Sequence, residues 1–398
     1  VVSFATPEYA ADHVIGFSDA DWKSVLRWLD ISGLAIYFLV QCQESDAGRL
    51  LPEWLVDDLK QRLGNNRIRT AAFRREACEL AQLLEDSGVR YALLKGMTLA
   101  PESVLDSAYR SQADLDFMVT RRHGRRAIHF FRKRGYRLHA VSGSTLELVA
   151  GEPDLPDMAN MYSERTERAL DLHLLAERDE QPGLLTRRTW RVFDETPIAV
   201  LSAADILVQQ AKHLMKHLCS EFTRLSWALE FRRHVQARCG DWSYWREVEA
   251  IAAGEMHGDL AMGVALWVAE EFFGKVPMEM PRQWSAEALP ARVLLWLKRY
   301  TRTQLMSDEI RSKLYVLLNR EMPSGVIEER STQKILFPHY LPLPILRSKP
   351  REKLAERLQR YVVETDFFFR RLQFHVIEGV RFGIEASRWR RALERYGL

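Results

Sequence analysis

The sequence predicts an α+β fold, with a small mixed-sheet core set between N-terminal helices and a large C-terminal helical region. Three observations lead there. Apolar residues recur at helical spacing through the first 88 residues, the pattern shortens to brief apolar runs over 89–180, and helical spacing returns after Ser202 and persists. A length of 398 residues suits two or three domains, at roughly 100–200 residues each. The expected division is a helical region over 1–88 packing on the core, the core itself over 89–200, and a helical domain over 201–320 that closes a cleft. A Pro-rich docking segment over 321–350 and C-terminal helices over 351–398 follow. Hydrophobic residues at 47% and charged residues at 28% are globular proportions. They exclude a disordered chain, a collagen-like chain and a coiled-coil rod.

Each element has its own signal. Trp22, Leu26, Trp28 and Leu29 open an apolar helical face that Leu34 to Val40 continues, and Leu55, Leu59 and Leu63 follow at spacings of four. Pro52 stands near a helix start, where its missing N–H costs nothing. Residues 66–87 predict a separate amphipathic helix with Ala72, Leu80, Leu83 and Leu84 inward, stopped by Gly88. Val89 to Leu94 then reads as a buried strand, Met97 to Leu105 as a short helix and Leu115 to Val119 as a strand. Arg121 to Arg134 reads as a helix ended by Gly135. Tyr136 to Val141, Leu146 to Ala150 and Ala169 to Leu174 read as further strands. Ser202 and Asp205 can cap a helix over 203–218. Helices are expected at 224–238, 243–254, 257–273 and 285–300. Pro323, Pro338, Pro342, Pro344 and Pro350 interrupt the pattern before a last helical region over about 351–395.

Cys42, Cys78, Cys219 and Cys239 are widely spaced and form no CxxC, which argues against a disulfide framework or a zinc knuckle. Scattered cysteines fit a reducing cytoplasm. The longest apolar run, Leu34 to Val40, is far short of the roughly 20 residues of a membrane span, and no signal peptide is expected. A soluble, cytoplasmic protein without a membrane span is the expectation. A net charge of +3 gives no bulk attraction to nucleic acid.

The chemistry concentrates in three stretches: Leu93 to Met97, Arg110 to Asp116, and Asp171 to His173. Asp114 and Asp116, one residue apart on a strand, point to the same face. Two carboxylates that close repel each other unless a cation sits between them. Mg²⁺ is commonly held by one or two carboxylates together with substrate phosphates. Asp171, in another strand of the same block, can add a third carboxylate. The turn at Gly96 lets backbone approach a phosphate, and Lys95 and Arg110 supply positive charge for one.

The order of these motifs resembles the nucleotidyltransferase superfamily related to DNA polymerase beta. More narrowly, it resembles the bacterial family labelled uncharacterised nucleotidyltransferase. The residues that carry the likeness are Leu94-Lys95-Gly96, Arg110 to Asp116, Asp171-Leu172-His173, then His213, His217 and the run Arg224 to Glu230. Two features depart from the wider pattern: Lys95-Gly96 stands where the superfamily usually has Gly-Ser, and Glu230 stands where an Asp is usual. The resemblance implies metal-dependent transfer of a nucleoside monophosphate from a nucleoside triphosphate, ATP by family habit, to an acceptor hydroxyl. It implies Asp114, Asp116 and Asp171 as catalytic carboxylates and ligands of Mg²⁺ or Mn²⁺. It implies Lys95, Gly96 and Arg110 on the phosphates, and His173, Arg224 and Glu230 toward the acceptor or nucleotide. A small molecule or peptide of a biosynthetic pathway is the expected acceptor. A tRNA-directed enzyme and a nucleotide-binding scaffold without turnover are the alternatives.

Other features carry less. His213 and His217 share a helix face at i and i+4. Leu214 stands where the zinc-protease pattern needs Glu, so they are expected to pack beside the cleft rather than bind zinc. The run Arg121 to Arg137 holds eight basic residues and no acid. It is expected to be a solvated helix face, with RNA contact the alternative. The C-terminal mixture of Phe367, Phe368, Phe369, Arg370, Arg371, Phe374 and Arg388 to Arg391 suits a packed helix with an arginine-rich outer face. The P-loop, dinucleotide-binding and nucleophile-elbow patterns are absent.

Overall fold

A computed structural model gives the protein's architecture and describes residues 16–44, 49, 51–152, 161–176, 183–306, 312–324, 326 and 353–398. Two short helices come first, α1 (Asp19–Ser32) and α2 (Ala35–Gln43). A capping box between Ser18 and Asp21 starts α1, and Gly33 ends it at φ 74°. A Cβ at Gly33 would stand 2.6 Å from Ser226 Oγ, so glycine here lets the turn seat directly on a later helix. The apolar run Leu34 to Val40 is α2 and is buried throughout. Among the described residues no single helix is long and apolar enough to cross a membrane.

The two helices expected over 55–87 are one, α3 (Glu53–Asp86). Its halves serve different cores. Leu55, Leu59 and Leu63 join the helical core, whereas Ala77, Leu80, Ala81 and Leu84 pack under the sheet. The buried face is continuous, but Asn66, Arg69 and Thr70 occupy its middle with polar side chains, which reads as a break although the backbone continues.

The strands are β1 (Tyr91–Leu94), β2 (Asp114–Thr120), β3 (Arg137–Ser142), β4 (Thr145–Ala150), β5 (Arg168–Leu175), β6 (Thr189–Phe193) and β7 (Thr196–Val200). They form a seven-stranded mixed sheet in the order β3-β4-β5-β2-β1-β7-β6. β2 pairs antiparallel with β1 and parallel with β5, and β7 runs parallel to β1. The β6–β7 hairpin is an addition to the sequence-based expectation. Its two-residue turn, Asp194-Glu195, has φ of 47° and 68°, the left-handed geometry that matches strand twist. Asp-Gly or Asn-Gly would have announced it, and Asp-Glu does not.

One correction follows β1. Met97 to Leu105 is a short 3-10 turn, Gly96–Leu99, followed by irregular chain. Pro101 lacks the N–H a longer helix would need there. The helix α4 (Arg121–Lys133) packs Ala127 and Phe131 against Phe117, Leu170 and Leu172, on the same sheet face as the second half of α3.

Downstream, α5 (Ala203–Leu218), α6 (Leu225–Ala237), α7 (Trp242–Gly254) and α8 (Gly258–Phe273) lie within about two residues of their expected bounds. Ser202 caps α5 by accepting from the Asp205 N–H. The helix expected at 285–300 is α9 (Ala291–Leu305), because Pro290 sets its N-cap and two 3-10 turns occupy the residues before it. α10 (Tyr315–Glu321) and the long α11 (Leu354–Tyr396) complete the chain. Trp389 of α11 donates to Glu321 at 3.1 Å. Residues 327–352, which hold most of the segment expected to dock, lie outside the described residues.

Two core histidines set a pH dependence. Burial pushes His234 down to about 4, and burial pushes His217 down to about 4 as well. Both are neutral in the fold, while the unfolded chain takes up these protons near pH 6.5. Their contribution to stability should be full above about pH 6.5 and be lost as pH drops toward 4, by a few kcal/mol in total. Thermal melts from pH 7.5 to pH 4.5 test this: His234→Gln should have a shallower slope than the wild type, and equal slopes would contradict it.

Candidate active site

Alternation along β2 sorts its residues. Leu115, Phe117 and Val119 enter the core under α3 and α4, and Asp114, Asp116 and Met118 take the opposite face. The parallel register places Asp116 beside Asp171 and Met118 beside His173. The antiparallel register with β1 places Asp116 beside Leu94, so Lys95 leaves the strand end directly at the carboxylate. Lys95 Nζ donates to Asp116 Oδ1 at 2.7 Å, and His173 Nε2 lies 2.9 Å from the same oxygen. His173 Nδ1 meets Thr145 Oγ1 at 3.1 Å. Three strands are thus tied to one carboxylate oxygen that is almost wholly buried.

The electrostatics divide the carboxylates. Burial alone would raise Asp116, but Lys95 and His173 outweigh it and hold the group well below the usual carboxylate range. Burial raises Asp114, and its neighbour Asp116 raises it further, to about 7. Burial and then Asp116 also raise Asp171. Lys95 loses from burial but gains more from Asp116, with Asp114 and Asp171 adding to it, and stays above its ordinary value. A cluster of this kind holds more negative charge than Lys95 alone neutralises.

Asp116, Asp171 and His173 each offer one ligand atom, and the three atoms lie within 4.8 Å of one another. Two carboxylate oxygens and an imidazole nitrogen so grouped fit a divalent cation. Asp114 stands two residues along the same strand face, outside that group.

The remaining candidates occupy a second layer. Arg110 Nε donates to Glu230 Oε2 at 3.3 Å, and Tyr37 donates to Glu230 Oε1 at 3.0 Å. Both oxygens of Glu230 are engaged, so in this structure the residue holds Arg110 rather than standing open. Burial opposes the charge on Arg110, and Glu230 overcomes it. Gly96 is covered by Gln112, whose side-chain amide would clash with an added Cβ. Gln112 in turn donates to the Asp114 carbonyl at 2.7 Å. Arg224 packs over the Phe222 ring at 5.4 Å and is lowered by burial and by Arg110.

Sequence reasoning missed Arg69, in the middle of α3. It is 4% exposed and donates to the Met161 and Ser163 carbonyls. Burial, with Arg165 and Arg224 nearby, pushes it down to about 10, and Asp114 acts against them. No carboxylate among the described residues is in ion-pair contact with Arg69 or Arg224. An arginine in a helix of charged residues gives no sequence signal of burial. Asn66, one turn earlier, is fully buried and donates to the Ala108 and Arg110 carbonyls at 2.6 and 3.0 Å. It fixes the loop that carries Arg110.

A cavity of about 370 Å³ opens beside the cluster, lined by Lys95, Arg110 and His173 and by Gln210, His213, Trp227 and Glu230 from α5 and α6. His213 and His217 do pack against Trp227, with ring centroids 4.6 and 4.5 Å away. The basic helix α4 lies behind the sheet, on the face away from the carboxylates.

Replacing Asn66 by Ala should cost about 1–3 kcal/mol, because two buried carbonyls lose their donor. Urea unfolding measures this, and a loss near zero would show that the Arg110 loop does not depend on it.

The profile of the family described as uncharacterised nucleotidyltransferase matches residues 18–274. No curated protein matches the chain. Among solved structures, an antigenic nucleotidyltransferase-like protein from Paracoccidioides brasiliensis is similar at 12% identity, over 51% of this chain and 93% of that chain, with a TM-score of 0.30. The matched segment takes in the whole sheet, the carboxylate cluster and the helices α5 to α8, and the chain belongs to the uncharacterised nucleotidyltransferase family.

Proposed function

We propose that the protein transfers a nucleoside monophosphate from a nucleoside triphosphate to a hydroxyl of a small-molecule or peptide acceptor, in a divalent-metal-dependent reaction. The observation that carries this reading is the register of β2 on β5. It brings Asp116, Asp171 and His173 within 4.8 Å, beside a cavity that His173, Lys95 and Arg110 line.

Asp116, Asp171 and His173 would hold the metal, with Asp114 beside them on the same strand face. Mg²⁺ suits the carboxylates, and the imidazole extends the choice to Mn²⁺. The metal would supply charge stabilisation for the phosphates and for the attacking oxygen. His173 must then present Nε2 as a lone pair. Its Nδ1–H can donate to Thr145 Oγ1, which fixes that tautomer. Lys95 and Arg110 would bind phosphate oxygens, with Glu230 and Tyr37 keeping Arg110 aimed. The acceptor oxygen bonds to the α-phosphorus as the bond to the bridging oxygen of the β-phosphate breaks. Pyrophosphate leaves, and Asp171 would take the acceptor proton or orient the metal that activates the acceptor. Positioning and charge stabilisation supply most of the acceleration in such transfers.

The position of α4 favours a small acceptor over RNA. Its exposed arginines lie behind the sheet, where a bound RNA backbone would not lead to the carboxylates.

Calorimetric titration with each ribonucleoside triphosphate, with and without Mg²⁺, tests the proposal together with an assay for pyrophosphate release. One or more triphosphates should bind only with metal, and Asp116→Asn should abolish both binding and turnover without loss of fold. An active Asp116→Asn enzyme, or a folded wild type that binds no triphosphate, would overturn it.

A further inference from the structure

Lys95 stands where two demands meet. Its side chain lines the cavity beside the cluster, and its ammonium also holds Asp116, one of the three groups that could take a metal. Both uses draw on the same positive charge.

Asp116 Oδ1 is fully engaged. Lys95 Nζ donates to it at 2.7 Å, and His173 Nε2 lies 2.9 Å from the same oxygen. A carboxylate oxygen only accepts, so Nε2 carries a hydrogen in this arrangement. Two of the three candidate ligands are therefore bonded to each other, and Lys95 neutralises one of them. A cation held this close to the carboxylates repels a second cation.

The main chain fixes where the lysine starts. Lys95 and Gly96 take consecutive positive φ angles of 51° and 48°. The Lys95 carbonyl accepts from the Thr98 N–H at 2.9 Å and from the Thr98 hydroxyl at 2.8 Å. The four-carbon side chain beyond that point is less confined. It is 36% exposed, against 3% for the Asp116 side chain. The ammonium can leave the contact for the cavity, whereas the carboxylate has nowhere to go.

We propose that Lys95 is a built-in counter-cation that makes metal and triphosphate bind together: paired with Asp116 it suppresses binding of a divalent ion alone, and a triphosphate lifts that block by drawing the ammonium onto its own oxygens. The inference rests on the nucleotidyltransferase reading above and adds to it a coupling between the two ligands.

Titration of the full chain with Mn²⁺ alone, read by water-proton relaxation, tests it, counting only the binding that Asp116→Asn removes. Lys95→Gln should bind Mn²⁺ about tenfold tighter than the wild type or more. Mn²⁺ should also raise the melting temperature of Lys95→Gln by more than it raises that of the wild type. Lys95→Arg, which keeps the charge, should bind Mn²⁺ no tighter than the wild type. Calorimetry with Mg²⁺ and a triphosphate that the wild type binds should show Lys95→Gln binding that triphosphate more weakly. The two affinities thus move in opposite directions, whereas a lysine that only supports the fold would lower both. Equal or weaker Mn²⁺ binding by Lys95→Gln overturns the proposal, as does a Lys95→Gln protein that is unfolded and stays so with Mn²⁺. Metal-dependent triphosphate binding by the wild type would in that case leave the wider reading standing. Failure of every triphosphate to bind overturns both.

Discussion

Asp116 is 2% exposed and ionised, and one of its oxygens takes both Lys95 and His173. A carboxylate cannot be buried alone, because the lost hydration far exceeds what packing returns. Its two partners come from the end of β1 and from within β5, the strands on either side of β2. Pairing the charge therefore also helps to hold both strands in register on β2. Lys95 accepts φ 51° to make the contact, an uncommon conformation for a residue with a side chain. The structure tolerates local strain there for the sake of the ion pair, a pattern concentrated at functional sites.

A second buried carboxylate extends the arrangement outward. Glu230 gathers Tyr37 from α2 and Arg110 from the loop before β2, while itself standing on α6. Asn66 of α3 holds the same loop through its backbone. Helices from the start and the middle of the chain thus converge on the segment that leads into the carboxylate strand. The family match likewise begins near residue 18, ahead of the first strand. The N-terminal helices support the groups that line the site through Tyr37 and Asn66.

The two faces of the sheet have separate tasks. One is apolar and carries α3 and α4, and it anchors the strands. The other holds the carboxylates, the cationic side chains and the cavity, under α5 and α6. Charge on the outer side of α4 is insulated from the site by the sheet itself. The positive potential near the carboxylates comes instead from groups on their own side of the sheet: Lys95, Arg110, and the Arg69 and Arg224 side chains around Asp114.

The sequence by itself determined the period of each element and the face of each strand residue. The change from helical to strand spacing at Val89, the alternation that puts Asp114 and Asp116 on one side, the cap at Ser202 and the stop at Gly88 are local consequences of backbone geometry. They needed no partner to be legible. Only the tertiary structure decided which strand lies beside which. The pairing of Asp116 with Asp171 joins residues 55 apart in the chain, and the engagement of Glu230 by Arg110 and Tyr37 joins three distant segments. The burial of Arg69 and the continuity of α3 past Asn66 were likewise illegible. Their signals depend on what packs against a helix, and a polar or charged residue on a helix looks the same in sequence whether solvent or a loop carbonyl receives it.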